Sequence, residues 1–175
     1  FETMCSVTTG SNNTAYGLNA LSEITDASGN TAVGRDALEV NTASGNTAVG
    51  HNALLKNTSG TRNTALGSCA LCNAETVAHN TAIGTCALRS TTIGCNTAVG
   101  SCALDSNTTG ADNTAVGAFA MDSNSEGGYN TAVGKASLVS NTTGTENTAL
   151  GQKSLYNNTT CSSNTAIGSQ AMCGN

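Results

Sequence analysis

The sequence predicts an all-β fold, a parallel β-solenoid of about ten coils, and two observations support this prediction. The first is a repeat: close copies of Asn-Thr-Ala-Val-Gly begin every 17 residues, or after 16 residues in two of the coils. The second is the alternation of residue types within each copy, which is the period of a β-strand. Self-similarity at a short fixed period is typical of stacked architectures, in which each unit buries its apolar residues against its neighbours. The copies, which define coils 1 to 10, begin at Asn13, Asn30, Asn46, Asn63, Asn80, Asn96, Asn113, Asn130, Asn147 and Asn164.

Length and composition predict a single domain over residues 1–175. The chain contains no Pro and no compositional break, and the repeat continues through both termini. No apolar run approaches the ~20 residues of a membrane span, so we expect no membrane insertion. The net charge is -5, with only six Lys and Arg residues, which excludes the basic surface typical of nucleic-acid-binding proteins.

Each coil is described below by repeat positions, with its first Asn as position 0. Positions 0, 1, 2 and 4 are Asn, Thr, Ala and Gly in all ten copies, and position 3 is Val, Leu or Ile except at Tyr16. Position 7 is Ala or Ser, and position 8 is Leu or Met. This pattern predicts a strand, a tight corner at Gly, a second short strand through positions 7 and 8, and a turn rich in Asn, Thr and Gly.

The alternation also suggests which side chains are buried. We expect the apolar side chains of positions 3 and 8 to form the interior, beside a buried column of Thr from position 1. The opposite face, made of Asn, Ala and Gly, should be flat. It could meet either the other half of the same coil or a second chain, in lateral or trimeric packing. Because large apolar residues are few, we also expect disulfides, self-association or both to support the fold.

The eight cysteines indicate an oxidising compartment. Cys69, Cys86 and Cys102 share position 6 of three successive coils, which places neighbours within disulfide range, although only one of the two possible pairs can form. The two-residue gap between Cys69 and Cys72 resembles half of a zinc site, but no second such pair is present, so we predict no metal. The cysteines for which the sequence suggests no partner are Cys72, Cys95 and Cys161.

Asn-x-Ser/Thr sequons give a second extracellular signal and predict N-glycosylation. Together with the cysteines they favour a secreted protein, extracellular or on the cell surface. The candidate acceptors are Asn12, Asn57, Asn107, Asn141, Asn157 and Asn158.

No arrangement of side chains predicts catalysis, so we expect neither an enzyme nor a bound cofactor. His51 and His79 fall on different corners of the coil and should be exposed. Glu39, Asp105 and Asp122 share position 9, where we expect a solvated charged edge in preference to a cation site.

Units such as residues 96–104 and 130–144 resemble the head repeats of trimeric autotransporter adhesins and the similar repeats of phage and virus tail fibres. The resemblance covers nearly the whole chain. It implies a left-handed parallel β-roll, often with three chains packed side by side, which is displayed outside the cell and used for attachment.

Three functions follow as alternatives: a structural subunit of an extracellular filament, an adhesin or tail-fibre shaft, and an ice-binding solenoid. The filament is favoured, with subunits joined head to tail. Met4 and Cys5 occupy positions 8 and 9 near the start, and Met172 and Cys173 occupy the same positions near the end. If the coils of two subunits stack, Cys5 and Cys173 come within disulfide range.

Overall fold

The computed structural model describes residues 3–174 and contains one ten-stranded parallel sheet with one strand per coil. The strands follow each other in chain order, so the chain winds as a β-solenoid, and the predicted fold class is confirmed. No helix occurs among these residues, and hence none that is long and apolar enough to cross a membrane. The strands are β1 (Thr14–Tyr16), β2 (Thr31–Val33), β3 (Thr47–Val49), β4 (Thr64–Leu66), β5 (Thr81–Ile83), β6 (Thr97–Val99), β7 (Thr114–Val116), β8 (Thr131–Val133), β9 (Thr148–Leu150) and β10 (Thr165–Ile167).

The register of the sheet places identical repeat positions above one another. Between β6 and β7, for example, Thr97 pairs with Thr114 and Ala98 with Ala115. The same register holds for all nine strand pairs. Each repeat position therefore forms a column along the solenoid.

The two faces of the strand are the reverse of the prediction. Ala at position 2 points inward and is completely buried in the middle of the sheet, as at Ala115. Thr at position 1 and the apolar residue at position 3 point outward, and Leu66 is 45% exposed. Ala, Asn and Leu side chains form the buried interior of the coil, and the position-3 side chains lie outside it. The Ala-lined face meets the other half of its own coil, which was one of the two expected alternatives.

The second predicted strand is absent from the described residues, where turns replace it. The residues at positions 6 and 8 have left-handed backbone conformations, with φ of 55° at Cys102 and 53° at Leu104. This bend turns the position-8 side chain into the core, where Leu104 is completely buried as predicted. Hydrogen bonds between coils continue through the turn, because the Leu104 N–H donates to the Ala120 carbonyl at 3.0 Å.

Asn side chains at position 0 form a continuous internal ladder. The Oδ1 of Asn113 accepts a bond of 3.0 Å from the backbone N–H of Asn130 in the next coil. The Nδ2 of Asn113 donates to the Gly127 carbonyl at 2.8 Å. Because Asn113 is only 1% exposed, these bonds satisfy buried polar groups on the strand and on the turn.

A second Asn ladder runs along position 11, where the side-chain amide of Asn124 donates to the Oδ1 of Asn107 at 2.8 Å. Ala74 and Thr91 occupy this position in coils 4 and 5 and interrupt the ladder. As a result, the Oδ1 of Asn57 is buried without a hydrogen-bond partner. The Asn residues of this ladder are Asn41, Asn57, Asn107, Asn124, Asn141 and Asn158.

Replacing Ala74 by Asn should extend the interrupted ladder and stabilise the protein. The new side-chain amide can donate to the unpaired Oδ1 of Asn57, as Asn124 does to Asn107. We expect the free energy of unfolding, measured by urea denaturation, to rise by about 1–3 kcal/mol. Ala74→Leu is the matched control because it has a similar size but no donor. Equal stabilisation by leucine would show that filling space, not the hydrogen bond, is responsible.

Candidate functional site

The outer face of the sheet is the most regular surface of the molecule. We define it as the position-1 Thr and the position-3 side chains of β1 to β10, two columns that both point away from the core. Neighbours within a column are ~4.8 Å apart, and the two columns lie roughly 6.6 Å apart, the spacing of alternate strand residues. The outer face is thus a regular grid roughly 45 Å long.

This grid carries no charge and half of it is apolar. The thirty strand residues are Thr, Ala, Val, Leu, Ile and one Tyr. Neighbouring side chains cover part of Val99 and Val116, whereas Tyr16 is 77% exposed. An unbroken apolar column of this length on a surface is typical of an interaction site.

Charged residues lie on either side of the strand. The position after the Gly corner carries Arg35 and Lys135, and the position before the Asn carries Asp112 and Glu146. All four are exposed, and His51 and His79 in the same two columns are exposed as predicted. Charges therefore border the outer face without entering it.

The acidic residues of position 9 are more enclosed than expected. Asp105 forms an ion pair of 2.8 Å with Arg89, and its other carboxylate oxygen is buried without a partner. Burial, and then the charge of Asp105, raises the pKa of Asp122. Burial also raises the pKa of Glu39, with smaller contributions from neighbouring carboxylates. Within residues 3–174, no group of three or more His, Cys, Asp or Glu side chains is placed to hold a metal ion.

All eight cysteines are free thiols in the structure. Cys72 is buried, whereas Cys69, Cys86, Cys102 and Cys173 are half-buried. The thiols exposed to solvent are Cys5, Cys95 and Cys161. The predicted disulfides therefore remain predictions about the oxidised protein.

The structure corrects the glycosylation prediction at four sequons. Asn57, Asn107, Asn141 and Asn158 belong to the position-11 ladder, and their side-chain amides donate to oxygens inside the coil. A glycan on Nδ2 would have to leave the interior and break these bonds, so the folded chain cannot carry one there. The exposed sequons are Asn12 and Asn157.

The interior role of Asn is the main feature that the sequence analysis missed. Asn occupies position 0 in all ten copies, although a turn alone would accept other residues there. A signal was available, because an invariant polar residue directly before every strand indicates that the same buried backbone groups need a partner in each coil. The turn-forming tendency of Asn hid this signal.

No protein-family model matches this sequence, and no curated protein or solved structure matches it significantly. The likeness to adhesin and tail-fibre repeats and the left-handed sense of the coil therefore remain predictions.

Proposed function

We propose that this chain is a structural subunit of an extracellular filament, in which the coils of separate copies stack in the register seen within one copy. One observation supports this most strongly: every coil pair is joined in the same way at position 0. The Asn ladder of position 0 repeats the same bond of 2.9–3.0 Å from the first coil pair to the last. A coil from a second copy would meet the same donors and acceptors.

The outer face supports contacts between filaments lying side by side. It is roughly 45 Å long and about 10 Å wide, so two such faces would bury roughly 900 Å² in total. This is just below the ~1,000 Å² expected of a stable interface. A single pair of subunits would therefore associate weakly, whereas long filaments would add many such contacts.

Secretion and covalent reinforcement are part of the same proposal. Cys5 is exposed and Cys173 is half-buried, so both thiols are accessible for the proposed disulfide between subunits. Asn12 and Asn157 are the exposed sequons at which a glycan could be attached. Non-reducing electrophoresis tests this disulfide. We expect a series of covalent multimers that disappears on reduction.

The assembly itself is tested by light scattering and negative-stain microscopy over a range of concentrations, with reductant present. We expect the mass to rise with concentration and rods longer than one chain to form. Val99→Lys with Val116→Lys should reduce side-by-side association, because it places charge on the outer face. The control is Ser106→Lys with Ser123→Lys, which adds equal charge at exposed positions elsewhere. A monomer of constant mass at every concentration would contradict the proposal.

Ice binding is a second candidate, favoured by the Thr column on the outer face. The sequence predicted a buried Thr column, but the structure exposes Thr14, Thr47 and Thr131 to solvent and only partly covers Thr97 and Thr114. A flat, uncharged, regularly spaced array of hydroxyl and methyl groups could order water over its whole length.

Thermal hysteresis of the purified protein tests this candidate. We expect the wild type to stop ice growth below the melting point, and Thr97→Lys with Thr114→Lys to abolish the effect by disrupting the array. The Ser106→Lys and Ser123→Lys control should keep full activity. Absence of hysteresis in the folded wild type would exclude ice binding and leave the filament proposal unaffected.

A further inference from the structure

Three cysteines form a column on coils 4, 5 and 6. Cys69, Cys86 and Cys102 occupy position 6 of these coils. Backbone hydrogen bonds fix their stacking, because the N–H of Cys86 donates to the Ser68 carbonyl at 3.0 Å and that of Cys102 to the Thr85 carbonyl at 2.9 Å. Successive Cα atoms are therefore about one coil spacing apart, ~4.8 Å, which lies inside the Cα range of disulfides.

A fourth thiol distinguishes between the two pairs that this column permits. Burial, and then the adjacent Cys69, raises the pKa of Cys72 to about 11. Cys69 thus already has a sulfur neighbour within its own coil. Cys86 and Cys102 are the pair that remains, and both are half-buried, so a small reagent can reach them.

The same coils lack part of their internal hydrogen bonding. The position-11 ladder is interrupted at Ala74 in coil 4 and Thr91 in coil 5. The side-chain amide of Asn107 in coil 6 donates to the Thr91 hydroxyl over a long distance of 3.5 Å. In the intact part of the ladder, the amide of Asn124 donates to the Oδ1 of Asn107 at 2.8 Å. A covalent link between coils 5 and 6 would strengthen the solenoid at the edge of this interruption.

We propose that Cys86 and Cys102 form an intrachain disulfide that fastens coil 5 to coil 6 when the protein meets a small disulfide such as oxidised glutathione. This modification site does not depend on the proposed filament. Fifteen residues lie between the two cysteines along the chain, so the bond closes a short loop.

The reaction is a two-step thiol–disulfide exchange. The Cys102 thiolate attacks one sulfur of oxidised glutathione, and the other glutathione leaves as a thiolate that takes up a proton. Cys86 then loses its proton to solvent and attacks the Sγ of Cys102, which releases the second glutathione. Two protein thiols are oxidised and one glutathione disulfide is reduced. Burial, and then Asp105, raises the pKa of Cys86, so less of this thiol is ionised than of an ordinary cysteine, and it acts second.

Peptide mapping without reductant tests the pairing. Trypsin cleaves after Arg62, Arg89 and Lys135, which separates Cys86 on peptide 63–89 from Cys102 on peptide 90–135. The parent for this experiment is Cys95→Ser, since Cys95 is the other thiol of the second peptide. After treatment with oxidised glutathione and alkylation of free thiols, we expect the two peptides to be recovered joined. We also expect Tm to rise by about 6–12 °C relative to the reduced protein.

Two further variants in the same parent assign the link. Cys86→Ser should abolish both the joined peptides and the rise in Tm, and leave Cys102 as a glutathione adduct; Cys86→Ala replaces it if the serine variant does not fold. Cys72→Ser should retain the link. The proposal is overturned if the joined peptides persist without Cys86, or if Cys86 and Cys102 of the parent protein are recovered unlinked.

Discussion

Replacing Gly100 by Val should unfold the protein or destabilise it by more than about 4 kcal/mol. Gly100 has φ of 141°, a region that β-branched residues strongly disfavour. A Cβ at this position would also lie 2.5 Å from the backbone carbonyl atoms of Gly117 in the next coil. Because backbone on both sides prevents relief of this clash, the corner has no room for a side chain. Circular dichroism during thermal unfolding measures the effect.

Gly29→Asn is the control that separates a clash from an unusual φ. Gly29 has φ of 69°, but a Cβ added there would meet no atom within 4 Å, and Asn12 has φ of 58° at the equivalent site one coil earlier. We expect stability within about 0.5 kcal/mol of wild type. Comparable losses of stability in the Gly100→Val and Gly29→Asn variants would refute the close approach of successive corners.

Replacing Asn113 by Leu should cost about 1–3 kcal/mol in the free energy of unfolding. The new side chain has a similar size, but the buried backbone N–H of Asn130 loses its acceptor. The carbonyl of Gly127 loses the Asn113 amide but still accepts from the side-chain amide of Asn124 at 2.9 Å. Urea denaturation of the two proteins measures the difference.

Asn73→Leu is the matched control, because Asn73 is exposed and lies outside both ladders. We expect its free energy of unfolding to change by less than about 0.5 kcal/mol. If Asn113→Leu proved as harmless as this control, the ladder would not stabilise the coil in the way described.

The sequence was sufficient to predict the parallel solenoid, the number of coils and the Gly corner, because these follow from the repeat period, the alternation within each copy and the invariant Gly. It could not decide which face of the strand points inward. Alternation separates Thr97 and Val99 from Ala98 but does not say which side is buried, and hydrophobicity favoured valine. The decision depends on how the whole coil packs, with Leu104 and the Ala residues buried inside it.

The candidate site could be predicted only in part for the same reason. The Thr column was recognised, but its exposure, and hence the outer face, follows from the three-dimensional packing. The sequons show the opposite mistake, a buried residue expected at the surface. Asn107 and Asn141 match an acceptor pattern but belong to the interior. The stacking of Cys69, Cys86 and Cys102 was predictable, because register follows directly from the repeat.

Hydrogen exchange of the Asn side-chain amides, followed by NMR, tests the inward orientation of Asn and Ala most directly. The outer face, and with it both functional candidates, depends on this orientation. We predict that the side-chain amides of Asn113 and Asn130 exchange slowly, as buried hydrogen-bonded groups do, and that those of Asn73 and Asn157 exchange at the rate of exposed amides. Equally fast exchange at all four residues would mean that Asn faces solvent and that the Thr and Val columns are buried.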